Sequence, residues 1–311
     1  MSLKVVTGWR SLSEAERGAA AALGNFDGVH LGHAQVIGLA REAASALGAP
    51  LAVITFDPHP RRVFRPDNPP FRLTTLSQQV RALEALGVER LHLLPFDFGM
   101  ASMTDRQFAQ DVLCRGLGVR HVAVGFDISF GSGRTGSPQT MEAYGAELGF
   151  GVSVAPALTS ASGGKISSSE VRAALRDGHP QDAAAMLGRP FAIEGVVRRG
   201  RQLGRHLGFP TANVALDDYV QPCLGIYATV TRLSDGRILP GVASLGTNPT
   251  VGEVAARLEV HLFDFDEDIY GEVIETDLIA YLRPEVKFDG LPALIEQMGR
   301  DKVQARDILG A

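Results

Sequence analysis

The hydrophobic pattern changes character partway along the chain. In the first half, short apolar runs suited to strands alternate with longer amphipathic stretches suited to helices. Ala19 to Gly24 is an apolar run ending in a turn, and Ala34 to Leu47 follows as an alanine-rich helix. Leu51 to Phe56 predicts a strand that stops at Asp57-Pro58-His59-Pro60. Helices are expected over Leu76 to Leu86, Asp105 to Leu117 and Gln139 to Leu148. Strands at Arg90 to Leu94, His121 to Val124 and Val152 to Val154 fall between or after them, with a glycine-rich loop from Gly125 to Gly136. Such alternation predicts a parallel sheet covered on both faces, with its ligand site at the carboxyl ends of the strands.

After about Gly178 the period shortens. Ala192 to Arg198, Gly225 to Leu233, Leu239 to Ser244, Arg257 to Phe263 and Glu272 to Leu282 are short alternating runs separated by turn residues such as Ser234-Asp235-Gly236. This pattern predicts a small antiparallel barrel, with a last helix over Leu291 to Leu309 packed on it. The expected fold is therefore an α/β Rossmann-like domain, residues 1–186, followed by a β-barrel domain with a C-terminal helix, residues 187–311. A chain of 311 residues is also longer than one core usually serves.

Composition narrows the class without naming a chemistry. Hydrophobic residues at 45% and charged residues at 21% are an ordinary soluble mix. A net charge of -5 argues against a nucleic-acid coat but leaves room for a local phosphate pocket. Cys114 and Cys223 are too few and too far apart for a disulfide framework or zinc cluster, and read as packed thiols in a reducing compartment. No leader-like or membrane-spanning apolar run is visible, so a cytoplasmic protein without membrane or nucleic-acid partners is expected. Oligomeric state is not written in these features.

Gly24-Asn25-Phe26-Asp27-Gly28-Val29-His30-Leu31-Gly32-His33 sits where the first strand run hands over to a helix. Glycines there let the backbone turn and approach a ligand, and the helix start offers free N–H groups to an anion. His30 and His33 could donate to phosphate oxygens that gain charge during transfer. For this composition about 0.02 His-x-Gly-His occurrences are expected by chance, so the pair is informative. By spacing alone, two imidazoles could instead bind a metal or sit idly on a surface.

This segment resembles the nucleotidylyltransferase superfamily, and its longer form resembles the bacterial FAD synthetase branch. Thr55-Phe56-Asp57-Pro58-His59-Pro60 is similar to a flavin- and nucleotide-binding loop of that branch. Val124-Gly125-Phe126-Asp127 with Phe130-Gly131 and Arg134-Thr135-Gly136 is similar to a second loop. Ile166-Ser167-Ser168-Ser169-Glu170-Val171-Arg172 is similar to a third. The resemblance implies that His30, His33 and Arg172 act in catalysis. It implies nucleotide contacts from Gly24, Asn25, Phe26, Asp27, Gly28, Asp127, Arg134, Ser167 and Ser168. Flavin contacts would come from Phe56, Pro58, His59 and Pro60. Physically, Ser167 and Ser168 can cap a helix and face phosphate, with Arg172 one turn further on, although a plain serine-capped surface helix reads the same. Lys165 is either a triphosphate contact or a solvated lysine. Two departures stand out: Ile128-Ser129 where the branch more often has Phe-Arg, and Ser169 where it often has Thr.

Gly200 and Gly204-Arg205-His206-Leu207-Gly208-Phe209-Pro210-Thr211-Ala212-Asn213 form a second constellation. No Gly-Lys-Ser/Thr follows, so it is not a Walker loop. Thr211 and Asn213 share one face of an extended chain and supply hard oxygens suited to Mg2+ carrying nucleotide phosphates. The same tetrapeptide could be a turn leading into a strand. This stretch resembles riboflavin kinase, as do Pro222 to Tyr227, Gly241 to Thr250, Leu258 to Phe265, Tyr270-Gly271 and Leu282-Arg283-Pro284-Glu285 in order and spacing. The resemblance implies Glu259 as catalytic base, nucleotide contacts from Gly200, Gly204, Arg205 and Tyr270, a flavin contact from Arg283, and Mg2+ at Thr211 and Asn213. Asn248 stands where a basic residue is common.

Together the two resemblances imply ATP-dependent phosphorylation of riboflavin to FMN by the second domain. They imply Mg2+-dependent adenylylation of FMN to FAD, with pyrophosphate released, by the first. A flavin-binding protein with one silent head is the alternative from another class. A third reading gives the first domain a different phosphate acceptor, such as a pantetheine or nicotinamide mononucleotide.

Overall fold

A computed structural model describes residues 2–160, 163–200, 208–247 and 256–311. Its contacts group into two compact units, one of residues 1–68 and 76–166, the other of residues 69–75 and 167–311.

The first unit is built on a six-stranded sheet in the order β1-β4-β3-β2-β5-β6, with every pairing parallel. Its strands are β1 (Lys4–Thr7), β2 (Ala20–Leu23), β3 (Leu51–Asp57), β4 (Arg90–Pro95), β5 (His121–Gly125) and β6 (Gly151–Ala155). Its helices are α1 (Leu31–Leu47), α2 (Pro60–Phe64), α3 (Leu76–Ala85), α4 (Phe98–Ala101), α5 (Asp105–Gln107) and α6 (Pro138–Leu148). Alternate residues of β2 go to opposite cores. Ala21 and Leu23 pack with Ile54, Val112 and Met141, while Ala20 and Ala22 pack with Ile37, Val53 and Leu91. A strand buried on both faces must be apolar at every position, which is why it reads as a continuous run.

The element pattern expected from the sequence is present, with the short helices α2 and α4 added and three further differences. Strand β1 was absent from the pattern because it is a four-residue edge strand with only Val6 buried. Helix α1 starts at Leu31, because His30 caps it and pulls the first turn back to the loop. The expected helix over Asp105 to Leu117 begins as α5 and continues from Phe108 to Gly116 with the wider π-helical spacing.

The second unit begins with α7 (Ser168–Arg176) and α8 (Pro180–Leu187). Six strands follow: β7 (Phe191–Val196), β8 (Ala212–Ala215), β9 (Gly225–Arg232), β10 (Ile238–Thr247), β11 (Ala256–Leu262) and β12 (Val273–Arg283). All pair antiparallel in the order β7-β12-β9-β10-β11-β8. The Arg198 N–H donates to the Asn213 carbonyl at 2.8 Å, joining the two ends of the order into a nearly closed barrel. Helix α9 (Leu291–Leu309) covers one side, with Ala305 fully buried against Ala228, Phe263 and Ala280. The contact division falls after Ile166, earlier than the change in sequence pattern. Its physical cause is packing: α8 lies on β12 and β7, and α7 on α8.

Candidate functional sites

In the first unit the loop from Gly24 to Val29 leaves the carboxyl end of β2 and enters α1. Phe26, Gly28 and Val29 all have positive φ (49°, 85° and 43°). Val29 is β-branched and disfavours that region, so the surrounding structure must hold it there. Ties from two buried side chains fix the start of the same loop. The Thr55 hydroxyl donates to the Asn25 carbonyl at 2.9 Å, and the Gln79 amide donates to Asn25 and Phe26 carbonyls at 3.2 and 3.1 Å. Gln79 was not singled out from sequence; a glutamine on the buried face of a helix was its only signal.

His30 is the N-cap of α1, its Nδ1 accepting the His33 N–H at 3.2 Å. In the neutral ring the proton therefore sits on Nε2. The His30 and His33 rings stack at 3.6 Å between centroids and 17°. Gly32 makes this possible: a Cβ there would lie 3.1 Å from the His30 ring. The stacked pair stands at a helix N-terminus, an arrangement able to bind an anionic chain and donate to its oxygens.

Beyond β3, His59 caps α2, and Phe56 begins a run of ring contacts. Phe56 meets Phe96 edge-on at 5.5 Å and Phe108 at 6.2 Å. Phe64 meets Phe96 at 5.7 Å, and Phe108 meets Phe130 at 5.9 Å. Phe108 is buried and Phe64 is 59% exposed, so the cluster runs from the core out to one exposed ring against which a planar group could stack. Of its members only Phe56 was named as a flavin contact from sequence, because rings from distant segments meet only after folding. Asp127 is paired with Lys165 at 2.6 Å, and Lys165 lies 4.8 Å from the Phe126 ring centre. The Arg134 Nε donates to the Ser129 hydroxyl at 2.9 Å, so the serine that replaces a basic residue there orients another one.

In the second unit, Ser167 is the N-cap of α7, as its motif predicted, accepting from the Glu170 N–H. The buried Arg172 donates through Nε to the Phe71 carbonyl at 2.7 Å and through Nη1 to the Ser168 carbonyl at 3.1 Å. These carbonyl ties give it a structural task that the motif did not reveal.

Two cavities lined by described residues of the barrel hold the expected site residues. One, of about 260 Å³, is lined by Gly200, Thr211, Asn213, Val260 and the acidic loop Asp266 to Tyr270. The other, of about 250 Å³, is lined by Phe209, Thr211, Glu259, His261, Arg283 and Asp301 among others. Thr211 borders both. Asn213 pairs with Glu259 in the β8–β11 register, so the two side chains share a face. A Cβ at Gly200 would lie 2.7 Å from the Asn213 amide, so only glycine lets that amide sit there. Arg237 forks onto Glu267 at 2.6 and 2.7 Å and fixes the acidic loop. Arg283 is held by both oxygens of the buried Asp301, at 2.8 and 2.6 Å, and Asp301 also accepts from Gln297. Burial lowers the pKa of the His261 imidazole and favours its neutral form. Gly204, Arg205 and Asn248 lie outside the described residues.

Comparison with known proteins agrees with both halves of this picture. Residues 12–170 match the FAD synthetase family model and residues 187–309 match the riboflavin kinase model. The chain is 40% identical to a bifunctional riboflavin kinase/FMN adenylyltransferase of Escherichia coli, covering 99% of this chain and 98% of the relative. It is 38% identical to one from Bacillus subtilis, covering 94% and 93%. The chain belongs to the bifunctional riboflavin kinase/FMN adenylyltransferase family. A crystal structure described as a macrolide-efflux protein from Streptococcus pneumoniae shares the whole fold, with a TM-score of 0.88 and 30% identity over 98% of this chain and 99% of that one. Among the described residues, no helix here is long and apolar enough to cross a membrane.

Membership gives the chain two catalytic heads, the FAD synthetase match coming first and the riboflavin kinase match second. Within the first unit the structure brings Gly24 to His33 together with Thr55 and Gln79. Within the second it brings Thr211, Asn213, Glu259, Tyr270 and Arg283 to two cavities sharing one residue.

Proposed function

We propose that residues 187–311 transfer the γ-phosphate of ATP to riboflavin, and that residues 1–186 adenylylate the resulting FMN to FAD with release of pyrophosphate. The observation that carries the kinase reading is the position of Thr211 between the two cavities. ATP enters the cavity with the acidic loop and Tyr270, where Gly200 lets the chain approach closely; Gly204 and Arg205 join it by motif. Riboflavin enters the cavity lined by Glu259 and Arg283. Glu259 accepts the proton of the ribityl hydroxyl as it attacks.

Thr211 and Asn213 would hold Mg2+. Their fit rests on donor chemistry: a hydroxyl and an amide carbonyl, both hard oxygens, line the nucleotide cavity, and the Asn213 amide nitrogen is turned to the Thr211 carbonyl at 3.4 Å. The ion supplies neutralisation of phosphate charge when bound.

In the adenylyl head, the FMN phosphate is already a nucleophile, so the protein needs to position it and stabilise charge at the α-phosphate. His30 and His33 donate to those oxygens, and Gly24, Asn25, Phe26, Asp27, Gly28, Asp127 and Arg134 cradle the nucleotide. Ser167, Ser168 and Arg172 keep a phosphate-handling assignment through their motif. Phe56, Pro58, His59 and Pro60 present the flavin face. Chemistry that consumes ATP twice belongs in the cytoplasm, with riboflavin, FMN, FAD and ATP as partners and no nucleic acid or membrane. Purified protein given riboflavin, ATP and Mg2+ is expected to accumulate FMN and then FAD, and to make neither after chelation. Formation of FMN without any FAD would sink the adenylyl assignment.

A further inference from the structure

His261 has no task in the chemistry described above, yet it is built in with care. It lies two positions from Glu259 on β11, so both project from one face. It is 7% exposed and sits edge-on to Phe209 at 5.3 Å and Phe263 at 6.0 Å. Its Nδ1 is 2.9 Å from the Pro210 carbonyl oxygen. A carbonyl only accepts, so Nδ1 carries the proton and donates. The other nitrogen, Nε2, is buried with no hydrogen-bond partner. Burying a polar nitrogen unpaired is costly; a phenylalanine would fill such a slot without that cost. What histidine adds is the bond to Pro210.

That bond falls where the backbone ladder gives out. The β8–β11 pairing runs from Arg257↔Ala215 to Val260↔Ala212 and stops there. The next step would place Thr211 opposite His261, but Pro210 has no N–H to give and, among the described residues, the strand pairing stops short of Thr211, whose carbonyl accepts only a long bond of 3.4 Å from the Asn213 side chain. Strand pairing therefore leaves unfixed the one residue that borders both cavities. We propose that His261 is a positioning residue for phosphoryl transfer, its Nδ1–H replacing the missing ladder bond and holding the Pro210–Thr211 peptide so that Thr211 stays between nucleotide and acceptor. The inference rests on the kinase reading and extends it to a residue that lines the acceptor cavity but is given no part in the chemical step.

The test uses the full chain, whose FAD formation from supplied FMN serves as an internal control for folded, loaded protein. His261→Phe keeps ring and burial but loses the donor. His261→Asn puts an amide N–H near the place of Nδ1, whereas His261→Gln moves it toward the place of Nε2. His261→Phe and His261→Gln are expected to lower kinase kcat about tenfold or more, since small misplacements of reacting groups cost on that scale. The Mg2+ concentration for half-maximal activity should rise severalfold while the riboflavin KM stays within about twofold, because the lost contact fixes the metal side only. His261→Asn should recover most of kcat. Wild-type kcat and Mg2+ dependence in His261→Phe would overturn the proposal. So would His261→Asn being as impaired as His261→Phe with a raised riboflavin KM, which would place the ring on the acceptor itself. Should His261→Phe unfold early in a thermal melt, His261→Gln against His261→Asn decides alone. Glu259→Gln run alongside separates the two levels: full kinase activity there breaks the kinase reading, whatever His261 does.

Discussion

On the proposed reading the two units handle phosphate by opposite means. The first brings backbone N–H groups, a helix N-terminus and two stacked imidazoles from ten consecutive residues, with Thr55 and Gln79 bracing the loop from outside. The second collects a hydroxyl and an amide from the start of β8, a carboxylate from β11, an acidic loop and a helix-held arginine from segments spread over about a hundred residues. In a parallel α/β sheet, one strand–loop–helix junction already makes an anion site. A barrel has no such junction, and its site is assembled from neighbours in register. The lesson is that local chemistry can be read from a contiguous motif, and register chemistry cannot.

Substitutions can break that contrast. The largest effects are expected at the two chemical centres. His33→Ala should reduce FAD formation from FMN by at least about 10²-fold, as removing a charge-stabilising donor does, while riboflavin phosphorylation continues. Glu259→Gln should reduce FMN formation by about 10²-fold or more and leave FAD synthesis from supplied FMN intact. Chromatographic separation of flavins reads both, and loss of both activities in either folded variant would refute separate centres. Next in size, Gly32→Ala should cost the adenylyl head about tenfold, because the new methyl displaces the His30 ring that caps α1. Unchanged FAD output from this variant would show that ring placement is slack.

The smallest effect concerns stability of the barrel unit. Burial and the neighbouring Glu275 push the Asp277 carboxyl up to about 6, from an ordinary value of 3.8. A raised folded-state pKa means the native form binds more protons between those values, so this residue's contribution to stability falls as pH rises from 4 to 6. Asp277→Asn should therefore stabilise the protein at pH 8 by about 1 kcal/mol, after allowance for partial exposure, and by little at pH 4. Thermal melts at the two pH values check the sign; equal shifts at both would rule out titration as the cause.

Legibility followed the same division. Leu51 to Phe56, Arg90 to Leu94 and His121 to Val124 were readable because strands buried on both faces are apolar throughout. Lys4–Thr7 was not, since an edge strand with one buried residue leaves no pattern. His30 and His33 were legible as a pair, but His30's capping role was not, because it depends on which nitrogen meets the His33 N–H. Thr211 with Asn213 and Glu259 with His261 were each legible as sharing a face by alternation. That Asn213 faces Glu259 was not, because the pairing that joins them connects strands more than forty residues apart.

What the amino-acid order determined alone was therefore the succession of a parallel α/β unit and an antiparallel barrel, and the contiguous motif from Gly24 to His33 at the first strand–helix junction. Tertiary structure decided the rest. It turned Gln79 into a brace for the Gly24 to Val29 loop, gave Arg172 two carbonyls to hold, drew phenylalanines from distant segments into one cluster, and set Thr211 on the border of two cavities. Each of these depends on where a backbone carbonyl, a ring or a strand partner comes to lie after packing, and residue type and spacing along one segment carry no such information.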